Sequence, residues 1–165
     1  RRDHDLTINY ELLDRQFSAL VDDETDLLAI SANFTGLLFA EIPDINWLGI
    51  YVRRTDELVL GPFQGLPACV RIPLGQGVCG TAASEMQTQR IDNVHEFAGH
   101  IACDPNSKSE LVVPLIADGV VFAVLDIDSP DTSRFSADDQ AGVEKLCDHF
   151  VKKLLSTKAN LQNFI

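Results

Sequence analysis

The spacing of hydrophobic positions changes along the chain, and the change predicts where helices give way to strands. Near the start, apolar side chains recur every three or four residues, which is the stripe of an amphipathic helix formed by Tyr10, Leu13, Phe17 and Leu20. A second helix is predicted over residues 24–41, and Pro43 and Asp44 end it. The side chains that this helix offers to a core are Leu27, Leu28, Phe34, Leu37 and Leu38.

The middle of the chain is rich in β-forming residues instead. The predicted strands there span residues 46–53, 58–65, 68–72 and 88–91. A turn at residues 55–57 joins the first two strands. Glycines introduce a short helix over residues 77–86.

The last third combines a hairpin with a helix. Strands over 110–116 and 120–128 flank Asp118-Gly119, a strong hairpin signal. A helix over 137–155 follows, and Ser136 with Asp139 gives it a capping box. Its predicted buried stripe is Val143, Leu146, Cys147, Phe150, Val151 and Leu154.

This order of elements predicts an α+β domain, in which helices pack mainly on one face of a central antiparallel sheet. No linker, repeat or low-complexity tract interrupts the chain. We therefore expect residues 1–165 to form a single domain, with N-terminal helices at about 8–42 and a catalytic core at about 46–155.

Composition narrows the classes of protein that fit. Thirteen Lys and Arg against 25 Asp and Glu give a formal net charge of −12, which repels phosphate backbones and argues against nucleic acid binding. No apolar run approaches the roughly 18 residues that a membrane span needs. The first residues lack the pattern of a signal peptide. We expect a cytoplasmic protein with no membrane partner.

Four cysteines are the first candidates for chemistry, and reduced thiols are the expectation for a chain with a core of this size. Cys147 lies on the apolar stripe of the last helix, so we expect it to be a core residue. Cys69 lies near the end of a strand, and Cys79 lies between two glycines. Cys103 lies in a loop over residues 92–108, which is long enough to suggest an ordered functional lid.

Spacing alone leaves three interpretations of these thiols. They could be isolated structural cysteines, or Cys103 could bind zinc together with His95 and His100. The absence of any CxxC or HxxxH pair argues against zinc. The third interpretation is a nucleophilic or redox cysteine, for which Cys103 is the strongest candidate.

Three carboxylates accompany the hairpin. Asp126 and Asp128 are two residues apart on a strand, so they project from the same face, and Glu110 begins the partner strand. If the three meet, repulsion raises the pKa of one acid and keeps it neutral, while the others can bind a cation such as an amino group. Trp47 and Tyr51 alternate on the first strand and could wall this pocket.

The length of the hairpin turn decides whether Glu110 joins the other acids. A two-residue loop would place Leu111 opposite Asp126 and send Glu110 to the other face. A three-residue loop over 117–119, with Gly119 left-handed, would pair Glu110 with Asp126. We predict the three-residue loop because it collects the acids in one place. The alternative is that the acids end their strands in solvent.

Taken together, these segments closely resemble the free methionine-(R)-sulfoxide reductases, which are single-domain enzymes with the GAF fold. The resemblance covers residues 46–155, whereas the first two helices match only in general character. It is carried by the segments GPFQGLPACVRIPLGQGVCGTA (61–82), VHEFAGHIACD (94–104), SELVVPLIADG (109–119) and VLDIDSP (124–130).

The resemblance implies a reaction, namely reduction of the R epimer of free methionine sulfoxide to methionine without a bound cofactor. It makes Cys103, in HIACD, the nucleophile that becomes a sulfenic acid and then a disulfide. Cys69 and Cys79 are the resolving candidates, and the sequence leaves their order open. Thioredoxin would be the electron donor, and a homodimer is the assembly expected of GAF domains.

The resemblance also implies the substrate site. Three acids, Glu110, Asp126 and Asp128, would bind the substrate, and Trp47 and Tyr51 would enclose its methyl end. The competing interpretation is a GAF sensor module for a small ligand such as a nucleotide, haem or bilin. A bilin attachment site commonly carries a histidine directly after its cysteine, whereas Asp104 follows Cys103 here.

Overall fold

A computed structural model describes residues 7–100 and 104–165 of the chain. Its strands are β1 (Trp47–Arg54), β2 (Glu57–Gly65), β3 (Arg71–Pro73), β4 (Gln89–Ile91), β5 (Ser109–Ala117) and β6 (Val120–Ser129). Its α-helices are α1 (Tyr10–Leu20), α2 (Leu27–Glu41), α3 (Gly77–Glu85) and α4 (Ala137–Ser156). The strands form one sheet in the order β3-β2-β1-β6-β5-β4, and every neighbouring pair is antiparallel. The predicted α+β class is confirmed.

Helices α1, α2 and α4 cover one face of the sheet and build the larger core. Phe34 of α2 stacks on Phe150 of α4 at 4.2 Å between ring centroids, and Phe17 of α1 meets Phe34 edge-on at 5.0 Å. Helix α3 covers part of the opposite face, where a second, smaller core lies. One face of the sheet therefore packs against three helices in the larger core, and the other face is only partly covered, by α3.

Two leucines assigned to this core from the sequence are exposed instead. Leu28 is 55% exposed because successive helical residues point about 100° apart, and its neighbour Leu27 packs against the core. Leu20 ends α1 and is 50% exposed, while Val21 takes the buried position. Helix α2 begins at Leu27 rather than at residue 24, because the Asp26 side chain caps it by accepting the Ala29 N–H.

Helix α4 follows the sequence prediction closely. The Ser136 hydroxyl accepts the Asp139 N–H, and the Asp139 carboxylate accepts the Ser136 N–H, which completes the predicted capping box. All six residues of the predicted stripe are buried, Cys147 among them. Local periodicity and a local cap are sufficient to specify this helix.

The predicted register of the β5–β6 hairpin is wrong. The loop has two residues, Asp118 and Gly119, both with positive φ, so that Ala117 pairs with Val120. A bulge then shifts the register, because Ile116 pairs with Val121 but Leu115 pairs with Ala123. The extra residue is Phe122, which is buried in the larger core on the same side of the sheet as Ala123.

The bulge brings Glu110 to the same face as Asp126 and Asp128, which a two-residue loop without a bulge would have prevented. Glu110 pairs with Asp128, and Val112 pairs with Asp126, so the three acids share one face after all. Their clustering was expected from the sequence, but the route to it is a bulge in β6 rather than a longer turn.

The third strand also differs from its prediction. It spans Arg71–Pro73 at the edge of the sheet, and Ala68 and Cys69 precede it. The Cys69 carbonyl accepts a hydrogen bond from the Tyr51 hydroxyl at 2.8 Å, and this bond ties the β2–β3 connection to the centre of the sheet. In the ranges 7–100 and 104–165, no helix has the length and apolar character to cross a membrane.

We predict opposite effects from adding the same methyl group to two helical glycines. Gly142→Ala should destabilise the fold by roughly 1 to 3 kcal/mol, because a Cβ there would collide with the Tyr10 ring, which the Asp139 carboxylate holds by a 2.8 Å hydrogen bond. Gly36→Ala should stabilise it by about 0.5 to 1 kcal/mol, because a Cβ there meets its nearest neighbour at 3.9 Å. Urea unfolding at neutral pH measures both, and equal shifts for the two variants would contradict the proposed α1–α4 packing.

Candidate active site

A pocket lies between α3 and the part of the sheet formed by β1, β6 and β5. Cross-strand pairing sets its floor, because Trp47 on β1 pairs with Asp128 on β6, and Asp128 pairs with Glu110 on β5. Cys79 of α3 lies over this row of residues. The pocket therefore brings together an aromatic side chain, carboxyl groups and a thiol from four separate elements.

Three carboxyl groups form the polar end of the pocket. Glu110 and Asp126 are 7% and 5% exposed, and Asp128 is half-buried. Glu110, Asp126 and Asp128 lie close enough for each carboxyl group to influence the ionisation of another. The predicted cluster is thus present, and it is buried rather than directed into solvent.

The cluster leaves acceptor capacity for a ligand. Among the described residues, Oδ1 of Asp126 and Oδ1 of Asp128 are buried without a hydrogen-bond partner. The Cys79 thiol lies 3.9 Å from Oε2 of Glu110, and ligand atoms of Cys79, Glu110 and Asp126 all lie within 4.8 Å of one another. Buried acceptors without donors favour a ligand that brings several N–H groups or a positive charge.

Burial and mutual repulsion alter the protonation of these groups. Burial, followed by the charge of Asp128, raises the pKa of Glu110 well above its usual value. Burial also raises the pKa of Asp126, which faces Glu110, and the pKa of Asp128, which faces Asp126. The pKa of the Cys79 thiol is raised by burial and then by Asp126. The pocket therefore disfavours the ionised forms of these groups, so its carboxyl groups and its thiol hold their protons more tightly than exposed ones do.

Stacked aromatic rings form the apolar end of the pocket. Trp47 is 3% exposed and stacks between Tyr51 at 5.8 Å and Phe63 at 5.4 Å. Its indole N–H donates to the Leu66 carbonyl at 3.0 Å. Trp47 and Tyr51 take the positions predicted from the sequence, whereas Phe63 was not predicted. The sequence feature that could have indicated Phe63 is the alternation of side chains along β2, which places Phe63 opposite Gly49 of β1.

Two glycines make room for the Trp47 ring. A Cβ at Gly49 would lie 2.5 Å from Cη2 of Trp47 and 2.5 Å from the Cβ of Phe63. Gly65, with φ of +125°, brings its backbone against the other end of the indole, where a Cβ would lie 2.7 Å from Cδ1. The ring lies flat over the sheet because neither neighbour has a side chain.

The loop after β4 supplies the open side of the pocket. His100, Asp104 and Ser107 line it, and partial burial followed by the nearby His95 lowers the pKa of His100. Cys103, the predicted nucleophile, lies outside the described residues. The proposed zinc set of His95, His100 and Cys103 is therefore untested, although the two imidazole centroids lie 6.4 Å apart.

The described cysteines fall into two groups. Cys69 is half-buried and disulfide-bonded, whereas the sequence led us to expect reduced thiols, and Ala68 beside it lines the pocket. Cys79 and Cys147 are buried free thiols, Cys79 in the pocket and Cys147 in the core under α4. By position the division is different: Cys79 lies in the pocket and Cys69 lies beside it, whereas Cys147 is the core cysteine that the sequence pattern predicted.

Comparisons with known proteins place this site in a family. Residues 12–154 match the family model for the GAF domain. A free methionine-R-sulfoxide reductase of Escherichia coli (strain K12) is 51% identical over 148 residues, which are 90% of each chain. The chain belongs to the free methionine-R-sulfoxide reductase family of GAF domains.

Solved structures support the same assignment. The reduced form of a Staphylococcus aureus fRMsr aligns with a TM-score of 0.87 at 50% identity, over 90% of this chain and 96% of that one. A free methionine-R-sulfoxide reductase of Neisseria meningitidis, solved with its substrate, aligns with a TM-score of 0.87 at 37% identity, over 93% and 96% of the two chains. The match to the GAF family model, over residues 12–154, spans every described residue that lines the pocket.

The buried acids should make the protein less stable as pH rises. Their folded-state pKa values lie above the values of about 4 in an unfolded chain, so the folded state keeps protons that the unfolded state loses. Removing one acid as Asp126→Asn should therefore raise the free energy of unfolding at pH 8, by about 1 to 3 kcal/mol, and by less at pH 5.

Urea unfolding at both pH values measures this effect. The matched control is Asp118→Asn, because Asp118 is exposed at the hairpin turn and Asn tolerates its positive φ. The control should change the free energy of unfolding, relative to the wild type, by the same amount at both pH values. A loss of stability for Asp126→Asn at pH 8 would contradict the proposed repulsion.

Proposed function

We propose that this protein reduces the R epimer of free methionine sulfoxide to methionine, and that residues 1–165 act as a single catalytic domain. The observation that carries the proposal is the pocket itself, which has three buried carboxyl groups at one end and stacked aromatic rings at the other. Relatives of this family that are named for that activity support the assignment.

The two ends of the pocket suit the two ends of the substrate. An ammonium group supplies the positive charge and the N–H donors that Asp126 and Asp128 lack. The methylsulfinyl end would pack against the faces of Trp47 and Tyr51. A methionine sulfoxide within a peptide has no ammonium group, so binding the free amino acid would be favoured.

The acid cluster can supply the proton that the reaction needs. Sulfoxide sulfur becomes a good electrophile when its oxygen is protonated or hydrogen-bonded, and a neutral carboxylic acid can do this. The raised pKa values of Glu110, Asp126 and Asp128 support this role for the cluster. We assign proton donation to the cluster as a whole, because its members titrate together.

Cys103 is the nucleophile in this mechanism. Its thiolate attacks the sulfoxide sulfur, the oxygen is transferred to Cys103 as a sulfenic acid, and methionine leaves. A second thiol then attacks the sulfenic acid, forming a disulfide and releasing water. The dithiol of thioredoxin reduces that disulfide by exchange and becomes oxidised itself.

Cys69 is the better resolving residue of the two candidates. It is half-buried, lies beside the pocket and is disulfide-bonded. Cys79 is a buried free thiol, and its pKa is raised by burial and the neighbouring acids. Because the thiolate is the attacking species, Cys79 is poorly suited to rapid resolution. Its thiol instead adds a donor to the carboxyl cluster, 3.9 Å from Glu110.

We also propose a cytoplasmic location, from the need for re-reduction, and a homodimer, from exposed leucines. An enzyme that must be re-reduced in every turnover suits a reducing compartment, which supports a cytoplasmic location. Exposed leucines on α1 and α2 support the proposed homodimer, namely Leu12, Leu20 and Leu28.

Cysteine variants test the order of these steps. Cys103→Ser should abolish turnover of free methionine-(R)-sulfoxide with either dithiothreitol or thioredoxin as reductant. Cys69→Ser should release about one methionine per chain and stop with a sulfenic acid that dimedone traps, because no disulfide forms. Mass spectrometry and methionine release measure both outcomes.

The control for these variants is Cys147→Ala, since Cys147 is buried in the core away from the pocket and should be dispensable for turnover. Activity that survives in Cys103→Ser would overturn the mechanism. Thioredoxin-supported turnover by Cys69→Ser would overturn the choice of resolving residue.

If Asp126 binds the ammonium group of the substrate, replacing Asp126 should weaken the preference for the free amino acid. Asp126→Asn should raise KM for free methionine-(R)-sulfoxide roughly tenfold or more, because a charge-assisted hydrogen bond is lost. The wild type should strongly prefer the free amino acid to its N-acetylated form, and the variant should prefer it less. The ratio of kcat/KM for the two substrates measures this, and an unchanged ratio would contradict the assignment.

A further inference from the structure

Asn46 lies at the junction between the substrate pocket and the loop that carries Cys103. It immediately precedes β1, and its backbone N–H donates to the Asp128 carbonyl at 2.9 Å. The backbone of Asn46 is therefore fixed to the strand that carries two of the pocket carboxylates. Its side chain is not among the residues that line the pocket, and its Oδ1 is buried without a hydrogen-bond partner among the described residues.

The Asn46 side chain binds the segment that follows Cys103. Its amide Nδ2 donates to Oδ2 of Asp104 at 3.2 Å and lies 3.3 Å from Oγ of Ser107. The other oxygen of Asp104, Oδ1, accepts the Asn106 N–H at 2.8 Å, so it holds the turn of the loop together. The bond from Asn46 thus joins the Asp104 carboxylate to the residue that precedes β1.

This bond acts close to the nucleophile. The loop is also tied to the sheet by the Lys108 N–H, which donates to the Ser129 carbonyl at 2.7 Å, but that bond lies five residues after Cys103. Asp104 is the next residue after Cys103, and consecutive Cα atoms are only about 3.8 Å apart. Asp104 is thus the described residue next to Cys103 in the sequence, and Asn46 binds its side chain.

We propose that Asn46 is a positioning residue for the nucleophile, because it anchors Asp104, the residue after Cys103, to the strand of the carboxylates. This inference rests on the proposed role of Cys103 as the nucleophile. A nucleophile displaced by about 1 Å can lose on the order of 100-fold in rate. Asn46 should accordingly affect kcat and leave KM nearly unchanged, because the substrate-binding carboxylates and rings keep their places.

A double-mutant cycle tests the anchor. In Asn46→Asp, two carboxylates face each other and the hydrogen bond is lost, so kcat should fall roughly 10- to 100-fold with little change in KM. In Asn46→Asp/Asp104→Asn, an amide again faces a carboxylate, with the roles exchanged and the net charge of the wild type retained. Because Asp104 lines the pocket, the double variant is compared with Asp104→Asn, which carries the same altered residue. The double variant should regain most of the kcat of Asp104→Asn.

A matched control separates anchoring from the added charge. Asn93→Asp introduces the same change on the other side of the loop, where Oδ1 of Asn93 accepts the His95 N–H and a carboxylate oxygen can do the same. This variant should keep the wild-type kcat. The rate at which iodoacetamide labels Cys103, measured by mass spectrometry, should differ from the wild-type rate in Asn46→Asp. It should return towards the wild-type rate in the double variant.

Two results would overturn the inference. One is wild-type kcat in Asn46→Asp, and the other is a double variant that is no better than Asn46→Asp. Failure of the proposed function looks different, because the wild type would then not reduce the substrate or Cys103→Ser would stay active. Wild-type turnover that Cys103→Ser abolishes, with no coupling between positions 46 and 104, would reject the role of Asn46 alone.

Discussion

The burial of three carboxyl groups at one point of the sheet is the constraint on which the rest of the structure depends. Glu110, Asp126 and Asp128 cannot all be ionised beside one another out of water, so the folded chain keeps protons there. Such a cluster is unfavourable for folding and useful for chemistry. It offers a neutral acid, unpaired acceptors and a negative potential within one pocket, and the remainder of the fold has to supply the stability that this cluster removes.

That stability comes from the other face of the same strands. Along β6, Leu125 and Ile127 belong to the larger core, while Asp126 and Asp128 between them face the pocket. Helices α1, α2 and α4 cover the core face with stacked phenylalanines. The bulge at Phe122 serves both faces, because it adds an aromatic residue to the core and sets the register that brings Glu110 beside Asp128.

The residues of the proposed reaction come from segments that are far apart in sequence, and the sheet is their common frame. Tyr51 holds the connection that carries Cys69, and Asn46 holds the turn that follows Cys103. Both lie at or next to β1, the strand that also carries Trp47. The connection that carries Cys69, the turn after Cys103 and the apolar end of the pocket are thus all held by β1 or the residue before it, and β1 lies between β2 and β6.

The sequence by itself determined the features that depend on short-range physics. Helix α4, its capping box and its buried stripe follow from periodicity and local hydrogen bonds, and the motifs around Cys69, Cys79 and Cys103 identify the family. Tertiary structure decided the features that depend on long-range packing. The exposure of Leu20 and Leu28, the pairing of Glu110 with Asp128 through a bulge, the place of Phe63 beside Trp47 and the bond from Asn46 to Asp104 join positions that no local pattern relates. The sequence shows only that these positions are acidic, and their raised pKa values arise because distant strands and α3 exclude water around them.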